Sequence, residues 1–151
     1  MSNLFNSELE FSLRILMILN TSMHKKMTID KLAGIDFITV YGKDFGVSDY
    51  NLHGENNLKF SEYLNRRSSI IQAMKGLVLQ GYVLVFCFKR GFFYGISDSG
   101  KTYCEKLNDD YSIEYLNIVP KAIQYTEGIN DRELSRKINS YSLELLRKDN
   151  A

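Results

Sequence analysis

The sequence predicts an α+β fold, mainly α, and three observations predict it. A helical apolar pattern opens the chain from Ser7. A long helix, a β-hairpin and a short closing helix then follow one another between Leu58 and Leu107. Two further amphipathic helices fill the tail. At 151 residues the chain suits one domain over 1–151, with a core over 7–108 and a C-terminal helical extension over 109–149.

Ser7 and Glu10 form a capping box ahead of Leu9, Leu13, Leu16 and Met17. Phe11, Ile15, Ile18 and Leu19 occupy the other side, so this first helix is apolar on most faces and is expected to be buried. Thr28 caps a second helix through Leu32, Ile35, Phe37 and Ile38, stopping near Gly42. Residues 42–57 lack periodicity and carry three glycines, which marks a long loop of the kind that often contacts partners. His53 within it reads as solvated, not as a metal ligand.

The third helix is expected from Ser61 to Gln80, with Leu64, Ile71, Met74 and Val78 on one face and Ile70 and Leu77 beside them. Gly81 ends it. Tyr82 to Phe88 forms the first strand, Lys89-Arg90-Gly91 the turn, and Phe92 to Ile96 the return. Ser97 or Asp98 caps a short helix reaching Leu107. Asp110 caps a helix holding Tyr115, Ile118, Val119 and Ile123, which Pro120 kinks or divides. Asn130 or Asp131 caps a last helix with Leu134, Ile138, Tyr141 and Leu145 on one stripe.

Composition narrows the function classes. No apolar run is long enough to span a bilayer, so no membrane association is expected. Cys87 and Cys104 lack metal-ligand spacing and a secretory leader, which reads as two reduced thiols in a cytoplasmic protein. No phosphate-binding glycine loop, nucleophile elbow or paired nucleophile and base is present. No enzymatic activity, cofactor or metal is therefore expected. Charge is uneven: residues 58–108 carry eight basic residues against three acids, and the remainder eleven against fifteen. A basic middle permits nucleic-acid contact without requiring it.

The order helix, Leu77-Val78-Leu79-Gln80-Gly81-Tyr82-Val83, hairpin, Ser97-Asp98-Ser99-Gly100, helix resembles the winged-helix superfamily. The resemblance implies that the third helix is a recognition helix and the hairpin a wing. Arg66 and Arg67 near the start of that helix are then candidates for base edges, and Lys89 and Arg90 at the wing tip for phosphates. An equally open reading pairs Arg66 with Glu62 on a solvated face.

The wing argues for protein contacts as well. Tyr82, Leu84, Phe86 and Phe88 alternate with Val83, Val85 and Cys87, so both faces are apolar, and Phe92, Phe93 and Tyr94 add to them. Such a hairpin needs the tail helices or another protein to cover it. Phe86, Phe88, Phe92 and Tyr94 are accordingly candidate partner contacts. Leu134, Ile138, Tyr141 and Leu145 either pack on the chain's own core or meet a partner helix.

Leu4-Phe5-Asn6-Ser7-Glu8-Leu9-Glu10, Leu32-Ala33-Gly34-Ile35-Asp36-Phe37, and Asn51-Leu52-His53-Gly54 leading to Glu62, Arg66 and Arg67, with the Gly81 hairpin, resemble one family. It is the middle component of ABC-three-component, Lamassu-type bacterial defence systems built on an SMC-like ATPase. The resemblance implies a non-catalytic adaptor that joins an SMC-like ABC ATPase to an effector, often a nuclease, and couples sensing of phage or plasmid DNA to effector control. The loop around His53 departs from the proline-rich versions of the family. The competing expectation is a homodimeric winged-helix transcription regulator that dimerises through its tail helices.

Overall fold

The computed structural model describes residues 6–22, 25–54 and 59–149. Among them the chain is mainly helical, with one two-stranded antiparallel hairpin. The helices are α1 (Glu8–Thr21), α2 (Ile29–Val40), α3 (Lys59–Leu79), α4 (Asp98–Cys104), α5 (Asp110–Tyr125) and α6 (Asp131–Asp149); the strands are β1 (Val83–Phe88) and β2 (Gly91–Ile96). A 3₁₀ turn, Gly42–Phe45, follows α2. His24, Glu55 to Leu58, and the Leu4-Phe5 part of the opening motif lie outside the described residues.

Most ends form where the side chains provide for them. Ser7 Oγ accepts from the Glu10 amide, Thr28 Oγ1 from Lys31, Ser97 Oγ from Gly100 and Asn130 Oδ1 from Glu133. The α5 cap is Asp109, one residue before the expected Asp110, because its carboxylate reaches the Ser112 amide. Pro120 sits inside α5, which continues through it. The third helix begins at Lys59, two residues earlier than expected.

The α3–β1 joint and the β2–α4 joint lock together. Gly81 takes a positive φ of 82°, the Tyr82 amide donates to Leu77 O and the Gly81 amide to Val78 O. That is a Schellman ending. Ser97 Oγ donates to Gly81 O, and the Ser97 amide to Tyr82 O. A Cβ on Gly100 would lie 2.4 Å from Tyr82 O, so the two backbones meet only because residue 100 has none.

The core lies among α1, α2, α3, α5 and α6. α1 contributes Phe11 and Ile15 to Leu19, α2 nearly its whole length, and α3 the stripe Ile70, Ala73, Met74 and Leu77. This corrects the face expected for α3: Leu64 is exposed, and Arg66 takes the inward position that completes the stripe. Leu9 is likewise exposed. α5 adds Tyr115, Ile118, Val119 and Ala122; α6 adds Leu134 and Ile138. Leu134 presses on Gly34 so closely that a Cβ there would stand 2.5 Å from Leu134 Cδ2. The start of α6 is tied to that of α2 by a hydrogen bond from Thr28 Oγ1 to Asp131 Oδ2, while Lys31 Nζ donates to the carbonyls of Thr126 and Ile129.

Candidate functional site

The hairpin is rooted in the core and emerges from it. Val83 and Ile96 at its base are buried, whereas Leu84, Phe88 and Phe92 are 48%, 51% and 60% exposed. The tail helices leave these side chains uncovered. Opposed residues share a face of the ladder, which divides the expected partner contacts into two sets. Phe92 and Tyr94 share one face with Val85, and Phe86 and Phe88 the other with Phe93.

The second face is an aromatic slab. Phe86 and Phe88 stack at 6.5 Å, Phe88 meets Phe93 edge-on at 5.4 Å, and Lys26 Nζ stands 4.0 Å from the centre of the Phe86 ring. Gly95 leaves room for Phe86, whose Cε2 would be 3.3 Å from a Cβ there. The first face opens into an apolar groove of about 390 Å³ between the hairpin and α3, walled by Ile71, Met74, Val78, Leu79, Val85 and Tyr94.

The candidate DNA contacts separate. Arg67, Lys89 and Arg90 are exposed; Arg67 pairs with Asp30 at 2.8 Å, and Arg90 lies 6.0 Å from the Phe93 ring. Arg66 is a correction: it is 1% exposed, and its Nε donates to Asp36 Oδ2 at 2.8 Å. Its partner is Asp36 and not Glu62, the alternative that the helical spacing had offered. Glu62 instead accepts from the Tyr41 hydroxyl and from Asn6 Nδ2. A helix that carries a buried partner carboxylate in front of it has no reason to send that arginine outward.

A broad cleft of about 790 Å³ beside the wing collects Lys25, Lys26, Lys31, Arg90 and Arg132. Several of these charges are already engaged: Lys25 with Glu127 at 3.5 Å, Lys31 with two carbonyls, and Lys26 with the aromatic slab.

Leu134 and Ile138 are also corrected as partner contacts, because both are buried in the chain's own core, filling the space that Gly34 leaves. Tyr141 is half-buried, with its ring 4.9 Å from that of Phe45. Leu145 is half-buried near the end of the same helix.

Inside the core is a polar centre that pattern reading passed over. Asp36 accepts from Arg14 Nε at 2.8 Å, Arg14 Nη2 at 3.2 Å, Arg66 Nε at 2.8 Å and the Tyr115 hydroxyl at 2.7 Å. Burial alone would raise its pKa, but the two guanidinium groups outweigh it and hold the carboxyl well below the usual range. Burial, with Asp36 adjacent, pushes the Tyr115 hydroxyl far up.

His53 borders this centre, with Nε2 2.6 Å from the Tyr111 hydroxyl, and is half-buried where solvation was expected. Burial and then the nearby Arg14 lower its pKa to about 3, so it is neutral at physiological pH. The available signal was a lone charge in an apolar helix: Asp36 in Leu32–Ile38 and Arg14 in Phe11–Leu19. Four donors saturate the carboxylate, which makes the arrangement a tie between α1, α2, α3 and α5.

No group of three or more His, Cys, Asp or Glu able to hold a metal occurs among the described residues, and no described helix is long and apolar enough to cross a membrane. Cys104 is buried, which pushes its thiol up to about 11, while Cys87 is exposed on β1. Comparison with known proteins gives a match over residues 4–148 to the family model for ABC-three component (ABC-3C) system Middle Component 2. No curated protein and no solved structure matches.

Proposed function

The chain belongs to the ABC-three component system Middle Component 2 family, and from that membership we propose that it is a non-catalytic adaptor of a defence complex. It joins an SMC-like ABC ATPase to an effector and couples DNA sensing to effector control. The exposed apolar hairpin carries this reading. A lone domain rarely leaves so many large apolar side chains of one hairpin in water, and such side chains are what a subunit interface needs.

The family resemblance to Lamassu-type systems and the winged-helix order of elements support the same role. In it the wing serves protein contacts, with Phe86, Phe88, Phe92 and Tyr94 at the interface, while Arg67 remains for a base edge and Lys89 and Arg90 for DNA phosphates. A homodimeric regulator is less well supported, since Leu134 and Ile138 are used internally and Arg66 is withdrawn from the recognition helix.

Co-expression of the full chain with the ATPase component of its own system tests the adaptor. A stable complex that survives size exclusion, and that the Phe88→Ser, Phe92→Ser double variant fails to form, is the expected result. Wild-type protein eluting alone as a dimer that binds a palindromic duplex would overturn it.

A further inference from the structure

The backbone of β1 has a free edge, and its geometry says which atoms it offers. Met27 pairs with Tyr94 on the far side of β2: the Met27 amide donates to Tyr94 O at 2.9 Å and the Tyr94 amide to Met27 O at 2.8 Å. Tyr94 therefore turns its N–H and C=O away from β1, and Val85 opposite it belongs to a non-hydrogen-bonded pair. By the same alternation Cys87 opposes Phe92 in another such pair. The N–H and C=O of Val85 and Cys87 point outward from the hairpin, with no hydrogen-bond partner among the described residues.

β1 is also an edge without the usual protection. Val83–Phe88 contains no lysine, proline or glycine, and its side chains from Leu84 onward are exposed or half-buried. The apolar groove against α3 runs beside it, on the face to which Val85 points. A strand laid along β1 would place the residue opposite Val85, and every second residue from it, on that face. Charge limits the choice of strand. Residues 82–97 hold Lys89 and Arg90 and no acid, so a second copy of the hairpin offers nothing to pair with them.

We propose that β1 takes up an extended segment of the ATPase component by strand addition, with alternate apolar side chains in the α3 groove and an acidic residue near Lys89 and Arg90. This rests on the adaptor reading and names the chemistry of its partner: backbone hydrogen bonds to Val85 and Cys87 give affinity, and the groove gives register.

The test uses the full chain and the purified ATPase component of its system. Val85→Pro removes an outward N–H that the hairpin ladder does not use, so the folded state is kept while the edge is blocked. Val85→Thr keeps the N–H. Affinity for the ATPase is expected to fall about tenfold or more in the proline variant and to change little in the threonine variant. Hydrogen exchange on the wild-type complex, which needs no variant, should show Val85 and Cys87 amides newly protected.

A complex of undiminished affinity with Val85→Pro, or unprotected amides in a stable wild-type complex, overturns strand addition and leaves the adaptor intact. Protection of these amides in the free protein, growing with its concentration, assigns the edge to a second copy and overturns the partner strand. Failure of the wild-type chain to bind the ATPase at all overturns both.

Discussion

Arg66 donates to Asp36 through Nε at 2.8 Å, yet its two Nη nitrogens are buried without a hydrogen-bond partner among the described residues. The guanidinium lies 5.3 Å from the Phe37 ring and 5.7 Å from Phe11, whose faces stabilise the charge in place of hydrogen bonds. Asp36 is differently placed, since four donors converge on it.

The two partners should therefore tolerate replacement unequally. Asp36→Ala leaves two buried guanidinium groups without their counter-ion and should lower unfolding free energy by about 3–5 kcal/mol. Arg66→Met removes a half-satisfied charge, keeps much of the volume and leaves Arg14 and Tyr115 on Asp36, so its cost should stay near 1 kcal/mol. Urea titration of both variants checks the asymmetry; equal losses would show that Arg66 is worth more to the fold than its hydrogen bonding suggests.

An arginine scan for DNA binding should follow the same division. Arg67→Ala should leave stability within about 0.5 kcal/mol, because its pair with Asp30 is exposed. If Lys89 and Arg90 touch phosphates, Lys89→Glu with Arg90→Glu should flatten the salt dependence of duplex binding by about two units of slope. An unchanged slope would remove the wing tip from the DNA interface.

Acid sensitivity should begin well above the carboxylate range. His53 has a folded pKa of about 3 against an ordinary value of 6.5, so below pH 6.5 the unfolded chain binds more protons than the folded one. Stability consequently falls as pH drops through that window, by about 1–2 kcal/mol at pH 4.5 after allowance for partial solvation. Asp36 acts lower down: its contribution is complete above about pH 4 and declines only beneath it. Denaturation curves between pH 7 and 4.5 for wild type and His53→Gln should diverge in slope.

Two glycines offer a contrast in what a single methyl group meets. Gly100→Ala drives Cβ against the Tyr82 carbonyl, a backbone atom that cannot turn aside, and should cost about 2–3 kcal/mol. Gly34→Ala meets Cδ2 and Cγ of the buried Leu134 side chain, which yields only by shifting with its helix, and should cost about 1–3 kcal/mol while loosening α6. Thermal melts, with exchange rates of α6 amides, distinguish the two.

The parts legible in the sequence were those with local causes. Capping at Ser7, Thr28, Ser97 and Asn130, the Gly81 ending and the hairpin are set by neighbours a few residues apart, and they form where expected. Leu64 was misread because its apolar side chain fits the helical period as well as Ile70 does, and nothing local reveals that Arg66 fills the inward position. Arg66 itself reads as a surface charge until Asp36, distant in sequence, is known to face it. His53 looked solvated for the same reason: Tyr111, its partner, belongs to another helix. Exposure of Phe88 and Phe92 was foreseen as a problem of coverage, but which face opens on α3 depended on how the hairpin seats against that helix.

The tie at Asp36 also bears on how the chain comes off the ribosome. Tyr115 joins Asp36 across 79 residues, and Asp131 joins Thr28 across 103. While only the amino-terminal half has emerged, α1, α2 and α3 can gather Arg14 and Arg66 around Asp36, but Gly34 faces an empty slot and one side of the carboxylate lacks its hydroxyl. The interior is thus closed only when α5 and α6 have packed on α2, so removal of α6 should leave the Gly34 side of the core open to proteolysis.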